Sequence, residues 1–306
     1  MGIFMSLVKV KVITGLWILL ICAPGNSQQS WTDINYAGDG YEYHNLDIHL
    51  PDGEASAFPV VVVIYGSAWS ANNLKSAAYD ILGKQLLAAG YGVVSVNHRS
   101  SFDARYPAQL QDIKAAIRFV RANAGKYNLD TAFIGITGYS SGGHLAAMAG
   151  TTGRVNKYEA GGIKIDLEGD IGEFTGFSSS VDAVVDWFGP TDFTVMDSCG
   201  SRMEHNAVDS PESRLVGGPI RENRQMCALA DPTSYVSEDD PPFLVLHGDA
   251  DPLVPHCQGQ LLYNRLVEQG VQATFILVPG AGHGPGLFVD EYFKMMIDFF
   301  NEQKNN

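Results

Sequence analysis

Ala132-Phe133-Ile134-Gly135-Ile136-Thr137-Gly138-Tyr139-Ser140-Ser141-Gly142-Gly143-His144-Leu145-Ala146-Ala147-Met148-Ala149 decides the fold. Its first six residues are short and apolar and suit a buried strand. The residues from His144 onward suit the start of a helix. Between them lies Gly-x-Ser-x-Gly, and a strand, a sharp glycine-flanked turn and a helix together make a nucleophile elbow. The reason is steric: a serine lifted above a sheet edge takes a strained backbone, so the chain around it must lack Cβ atoms. A bare Gly-x-Ser-x-Gly is common in turns, and the flanking strand and helix give this one meaning.

Working outward, strands and helices alternate. Strands are expected at Phe58–Tyr65, Gly92–Asn97, Val181–Phe188, Phe243–Leu246 and Ala273–Val278. Helices are expected at Gln109–Ala124, where Ile113, Ile117, Phe119 and Val120 form a stripe, and around His256–Glu268 and Leu287–Asn301. Such alternation predicts an α/β fold: a mostly parallel sheet with helices on both faces. Tyr41–Leu50 reads as an antiparallel edge strand or hairpin. Gly153–Ser180 and Met196–Asp240 lack periodicity and are expected as irregular insertions over the site.

The chain begins with Lys9, Lys11 and an apolar run from Val12 to Ala23, too short to span a bilayer comfortably but suited to a signal-peptide core. Residues 1–27 are therefore read as a signal, with Gly25 and Ser27 before the cleavage point. Residues 28–306 are read as a single domain without stable membrane insertion, secreted or periplasmic. The chain has 20 basic and 34 acidic residues. Removing two leader lysines leaves 18 − 34 = −16, which argues against nucleic acid and anionic membranes as partners and for a neutral ester substrate. Of four cysteines, Cys22 lies in the leader. Cys199 and Cys227 share one insertion, so they are the expected disulfide, with Cys257 free. The cysteine spacing matches no metal site.

A nucleophilic Ser140 needs a base, and the base needs an orienting carboxylate. In the order serine, acid, histidine, the acid falls in the loop after the strand Phe243–Leu246. Asp251 is the expected acid there, and Asp249 is read as a turn residue bonded within its own loop. Beyond Asp251 only His256 and His283 remain. His283 lies in Gly280-Ala281-Gly282-His283-Gly284 after the last strand and is the expected base. His256 starts a helix and reads as a surface residue, and His144 as packing under the elbow. Oxyanion donors are expected from the backbone of Ser141 and of Ser67 and Ala68 in Tyr65-Gly66-Ser67-Ala68-Trp69. Trp69 and Trp187 are the candidate substrate-facing aromatics.

These motifs, with Val185-Asp186-Trp187-Phe188-Gly189-Pro190-Thr191-Asp192 and His247-Gly248-Asp249-Ala250-Asp251-Pro252, resemble the α/β-hydrolase superfamily. Within it they are most similar to the bifunctional feruloyl and acetyl xylan esterases among the carbohydrate esterases. The resemblance runs from about Tyr41 onward. It implies a serine esterase acting on acetyl or feruloyl esters of plant polysaccharide, with no metal or organic cofactor. The His-Gly-Gly-Gly-Trp common in such oxyanion loops reads Tyr65-Gly66-Ser67-Ala68-Trp69 here, which keeps the backbone donors but alters the pocket entrance. A lipid-ester or formamide hydrolase of the same fold, and an inactive binding protein on a hydrolase scaffold, are the alternatives.

Overall fold

A computed structural model describes residues 1–2, 28–53 and 55–305. The leader expected over residues 1–27 lies outside the described residues from position 3 on. Among the described residues no helix is long and apolar enough to cross a membrane.

An eight-stranded sheet runs in the order β1-β2-β4-β3-β5-β8-β9-β10. Its members are β1 (Ser30–Asn35), β2 (Asn45–His49), β3 (Phe58–Ile64), β4 (Gly92–Val96), β5 (Leu129–Tyr139), β8 (Ala183–Trp187), β9 (Phe243–Gly248) and β10 (Ala273–Val278). The six strands from β4 to β10 pair in parallel, and β1 and β2 add antiparallel pairs at one edge. The segment expected as an edge strand is thus β2, and the true edge is β1. A register shift falls between Pro59 and Val60 as β3 enters the sheet against β5. Proline has no N–H to give the ladder, so it is tolerated at the start of a strand.

The alternation of β3 shows how the layers arise. Val60, Val62 and Ile64 join one core cluster, and Val61, Val63 and Tyr65 join the other. The first cluster is covered by α3 (Ala108–Ala122), α4 (Ser141–Thr151) and α7 (Cys257–Glu268). The second is covered by α8 (Asp290–Lys304) and by α1 (Lys75–Ala78) and α2 (Lys84–Ala88), joined through a π turn at Tyr79–Gly83. The α1–α2 segment supplies Ala78, Leu82 and Leu86 to that core. Both faces of the sheet are therefore buried, which is why β3 and β4 read as unbroken Val/Ile runs.

The two insertions behave differently. Gly153–Ser180 forms a small hairpin, β6 (Lys157–Ala160) with β7 (Ile163–Asp166). It is anchored on the flank of α3, where Glu168 pairs with the buried Lys114 and Arg118 and accepts from Ser179 Oγ. Two cations buried on one helix need a carboxylate close by, and that holds the segment to the side. None of its residues lines the central cavity, contrary to the expectation that it covers the site. Met196–Asp240 carries α5 (Pro211–Val216) and α6 (Arg224–Leu229) and does supply one wall of that cavity.

The disulfide joins Cys199 to Cys257, not to Cys227. Shared residence in one insertion was a poor guide, because α6 turns Cys227 into the core while Cys199 faces the start of α7. Cys227 is free and buried, and desolvation pushes its thiol up to about 12. Peptide mapping is expected to link Cys199 with Cys257, with Cys227 alkylated only after unfolding. A bridge closing 58 residues contributes roughly 4 kcal/mol in the chain-entropy account. Recovery of Cys227 in any crosslinked peptide would contradict this pairing.

Candidate active site

Four loops meet at the carboxyl ends of β3, β5, β9 and β10, the edge at which open α/β sheets build sites. The turn after β5 carries Ser140 at φ 56°, ψ −126°. Its N–H donates to Trp187 O at 2.9 Å, and its own carbonyl accepts from His144 N at 3.0 Å. A Cβ at Gly138 would meet the Gly142 carbonyl, and one at Gly142 would lie 2.5 Å from the Ile64 carbonyl. No side chain fits at either place, so the glycine pattern of the motif is a packing requirement.

His283, on the loop after β10, sets Nε2 3.0 Å from Ser140 Oγ and Nδ1 2.7 Å from Asp251 Oδ2. The Asp251 side chain is fully buried, and its Oδ1 accepts from Leu253 N at 2.9 Å and Val254 N at 3.0 Å. These two bonds leave Oδ2 facing the imidazole. His247, at the end of β9, adds a brace: its Nε2 donates to Val254 O at 2.9 Å. Burial brings the His247 pKa down to about 4, so it is a neutral support. The acid loop is also stitched to the histidine loop, Ala250 N donating to Ala281 O at 3.0 Å. Asp249 is exposed and bridges to that same loop, its Oδ1 accepting from Gly280 N at 2.6 Å, rather than bonding within its own. His256 is exposed at the start of α7. His144 is fully buried, bonded through Nε2 to Ala230 O at 2.7 Å, with Trp69 and Phe193 against its ring.

The loop after β3 approaches the elbow closely. A Cβ at Gly66 would lie 2.6 Å from the Tyr139 carbonyl and 2.7 Å from Ser140 Cβ. Ala68 and Trp69 follow in left-handed conformations, φ 51° and 53°, each costing of the order of 1–3 kcal/mol. Ser101 N donates to Trp69 O at 2.6 Å and holds the loop there. The Ser67 N–H is engaged by Ser141 Oγ at 2.8 Å, so this expected oxyanion donor is spoken for inside the protein. The Ala68 N–H has no such partner among the described residues.

Neither tryptophan offers a free face. Trp187 is fully buried against Phe288 and Phe293 and does not line the cavity. Its strand β8 is covered on both sides, so the side chain points into the core beneath the site. Trp69 does line the cavity, but it is only 1% exposed. The stacking role expected of the pair is unavailable to Trp187, and Trp69 serves as wall.

Two polar residues that sequence reasoning missed also line the cavity: His205 and Glu212, from the insertion Met196–Asp240. They stand seven positions apart in an irregular segment, and nothing in that spacing marks them. The cavity holds about 310 Å³, and Phe188, Pro190, Met203, Leu253 and Phe288 give it an apolar lining. Among the described residues no cluster of His, Cys, Asp and Glu is disposed to hold a metal ion.

Beneath the elbow, Asp186 on β8 is fully buried and accepts from Gly189 N at 2.9 Å. Burial pushes its carboxyl from 3.8 up to about 7, against the opposing pull of that N–H. Between about pH 4 and 7 the folded carboxyl keeps a proton that the unfolded one has lost, so stability falls as pH rises through this window. Asp186→Asn keeps the acceptor and cannot ionise. It should stabilise the protein by an amount near zero at pH 4 and growing to roughly 4 kcal/mol at pH 8, at about 1.4 kcal/mol per unit. Urea unfolding at several pH values measures this, and a gain independent of pH would refute it.

A mostly parallel sheet, a strained serine elbow after β5 and a histidine and a carboxylate on the loops after β10 and β9 define an α/β-hydrolase. Residues 46–266 match the BD-FAE family, and the chain belongs to it. A solved structure described as a truncated form of a carbohydrate esterase from gut microbiota is 50% identical, with a TM-score of 0.89 over 93% of this chain and 99% of that one. A bifunctional GH43-CE of Bacteroides eggerthii is 52% identical, with a TM-score of 0.86 over 90% of this chain and 35% of that one. The esterase LipC of Mycobacterium tuberculosis is 33% identical over 74% of this chain and 53% of its own length. The chain spans about half the length of the first curated relatives it matches.

Proposed function

We propose that the protein is an exported serine carboxylesterase that removes short acyl or feruloyl groups from plant polysaccharide, without metal or organic cofactor. The observation that carries the chemistry is the unbroken chain Ser140 Oγ–His283–Asp251 opening into an apolar cavity. Ser140 Oγ attacks the ester carbonyl while His283 Nε2 takes its proton, and Asp251 holds the imidazole with Nε2 unprotonated towards the serine. The backbone N–H groups of Ala68 and Ser141 stabilise the oxyanion. Ser67 contributes indirectly, since its N–H on Ser141 Oγ ties the oxyanion loop to the elbow. His283 then gives its proton to the departing alcohol, and water hydrolyses the acyl-enzyme by the same steps in reverse.

The carbohydrate part rests on the likeness to the two carbohydrate-esterase structures and on an acidic chain of net charge −14 that suits a neutral polymer better than an anionic surface. The Cys199–Cys257 bridge and the apolar leader both favour an oxidising compartment outside the cytoplasm. Purified protein should turn over nitrophenyl acetate faster than the palmitate ester, and should release acetate from acetylated xylan or ferulate from methyl ferulate. Best turnover on palmitate, with none on the polysaccharide-type esters, would replace this reading with a lipid-ester hydrolase.

A further inference from the structure

The cavity is also bordered by an acidic group with an unused hydrogen-bond acceptor. Glu212 is 4% exposed and borders the cavity, and its Oε2 has no hydrogen-bond partner among the described residues. Its other oxygen lies 3.0 Å from His205 Nδ1. His205 Nε2 in turn lies 3.0 Å from Leu253 O and 2.8 Å from Ser201 Oγ. A buried carboxylate oxygen without a partner carries a desolvation cost that a bound ligand can recover.

We propose that Glu212, braced by His205, accepts a hydrogen bond from a hydroxyl on the alcohol half of the ester, in a neutral sugar or similar polyol. This rests on the carbohydrate-ester reading above. Charge selects the ligand class. Burial alone would lower the His205 pKa, but the hydrogen bond and charge of Glu212, joined by Leu253 O and Asp197, raise it. A cationic alcohol finds one oxygen of that carboxylate already facing His205 Nδ1 at 3.0 Å. An anionic one finds no lysine or arginine among the residues lining the cavity. A neutral O–H is the donor that suits a carboxylate with one oxygen facing His205 and the other without a partner among the described residues.

The acceptor is fixed relative to the reacting atoms. Ser201 Oγ donates to Leu253 O at 2.9 Å, and Arg202 N donates to Pro252 O at 2.8 Å. The His205 N–H donates to Asp197 Oδ1 at 2.7 Å, and Cys199 is bridged to Cys257. The segment is thus tied to the loop that carries Asp251 from both ends of Pro252–Leu253. A hydroxyl held by Glu212 would therefore set the register of the sugar against Ser140, and a site built to accept a substrate O–H rejects analogues that lack it.

The test compares substrates within each protein. The probes are a mono-acetylated methyl xyloside and two deoxy analogues, each missing one hydroxyl beside the ester. The wild type should prefer the parent over one analogue by roughly 10- to 100-fold in kcat/KM, the range for a hydrogen bond to a charged group. Glu212→Ala should bring that ratio close to one. Glu212→Gln, which keeps the volume and a neutral acceptor, should retain a preference of about 2- to 10-fold. The ratio does not depend on how much of either variant is folded, and the glutamine variant keeps the test open if the alanine variant does not fold. A wild-type ratio near one for both analogues, or an undiminished ratio in Glu212→Gln and Glu212→Ala, overturns the proposal alone. A wild type that hydrolyses nitrophenyl acetate but not the xyloside overturns the carbohydrate reading, and this proposal with it.

Discussion

Ser140→Ala is expected to lower kcat by about 10⁴-fold or more, with little change in the unfolding transition. The magnitude follows from what is lost. Without Oγ no acyl-enzyme forms, and only the oxyanion donors and substrate binding remain to assist water. The stability part follows from the elbow itself. Ser140 Oγ makes one side-chain bond, to His283 Nε2 at 3.0 Å, and its strained φ of 56° is shared by any residue with a Cβ. Alanine is small enough to occupy the same place between Gly138 and Gly142. Steady-state hydrolysis of nitrophenyl acetate, a fluorophosphonate label and a thermal melt measure the three consequences. A variant that keeps a tenth of the activity, or that labels at the wild-type rate, would remove Ser140 from the mechanism. A wild-type protein that neither labels nor hydrolyses would instead point to a binding role on a hydrolase scaffold.

The sheet was legible wherever burial on both faces leaves an unbroken apolar run, as in Val60–Ile64 and Phe243–Leu246. The meeting of Ser140, Asp251 and His283 at one sheet edge was legible for a related reason. Each follows a readable parallel strand, and parallel strands end on the same side. What escaped depended on contacts between distant segments. β1 carries only partial burial, so its pattern is weak. The α1–α2 segment is broken by a π turn and shows no clean helical period. The cysteine pairing needed the position of α7 relative to the insertion, which local proximity cannot supply. Trp187 stands at a strand end near the site, yet β8 is covered on both faces, so nearness to the site in sequence does not expose it. His205 and Glu212 lie in a segment whose path is set by the disulfide and by Pro252–Leu253, so no local pattern reveals that they border the cavity.

Asp251→Asn is expected to reduce kcat by about 10⁴-fold, whereas Asp249→Asn should cost no more than about tenfold. The hydrogen bonds around each carboxylate decide this. Asp251 Oδ1 is committed to two backbone donors, Leu253 N and Val254 N, while Oδ2 accepts from His283 Nδ1. An asparagine there has one oxygen for two acceptor positions. Turned one way, its NH₂ faces two backbone N–H groups in a buried site, a costly opposition of donors. Turned the other way, the oxygen keeps the backbone bonds and the NH₂ faces His283 Nδ1. That nitrogen must then be the acceptor, which moves the imidazole proton to Nε2. With Nε2 protonated, His283 donates towards Ser140 Oγ and cannot take its proton, although every atom stays near its place. Asp249 faces no such conflict, because its Oδ1 accepts a single bond from Gly280 N in an exposed turn and an amide oxygen can do the same. Turnover of nitrophenyl acetate by the two variants, with thermal melts to confirm that both are folded, distinguishes the roles. A loss at Asp249→Asn equal to or larger than that at Asp251→Asn would assign the orienting carboxylate to Asp249.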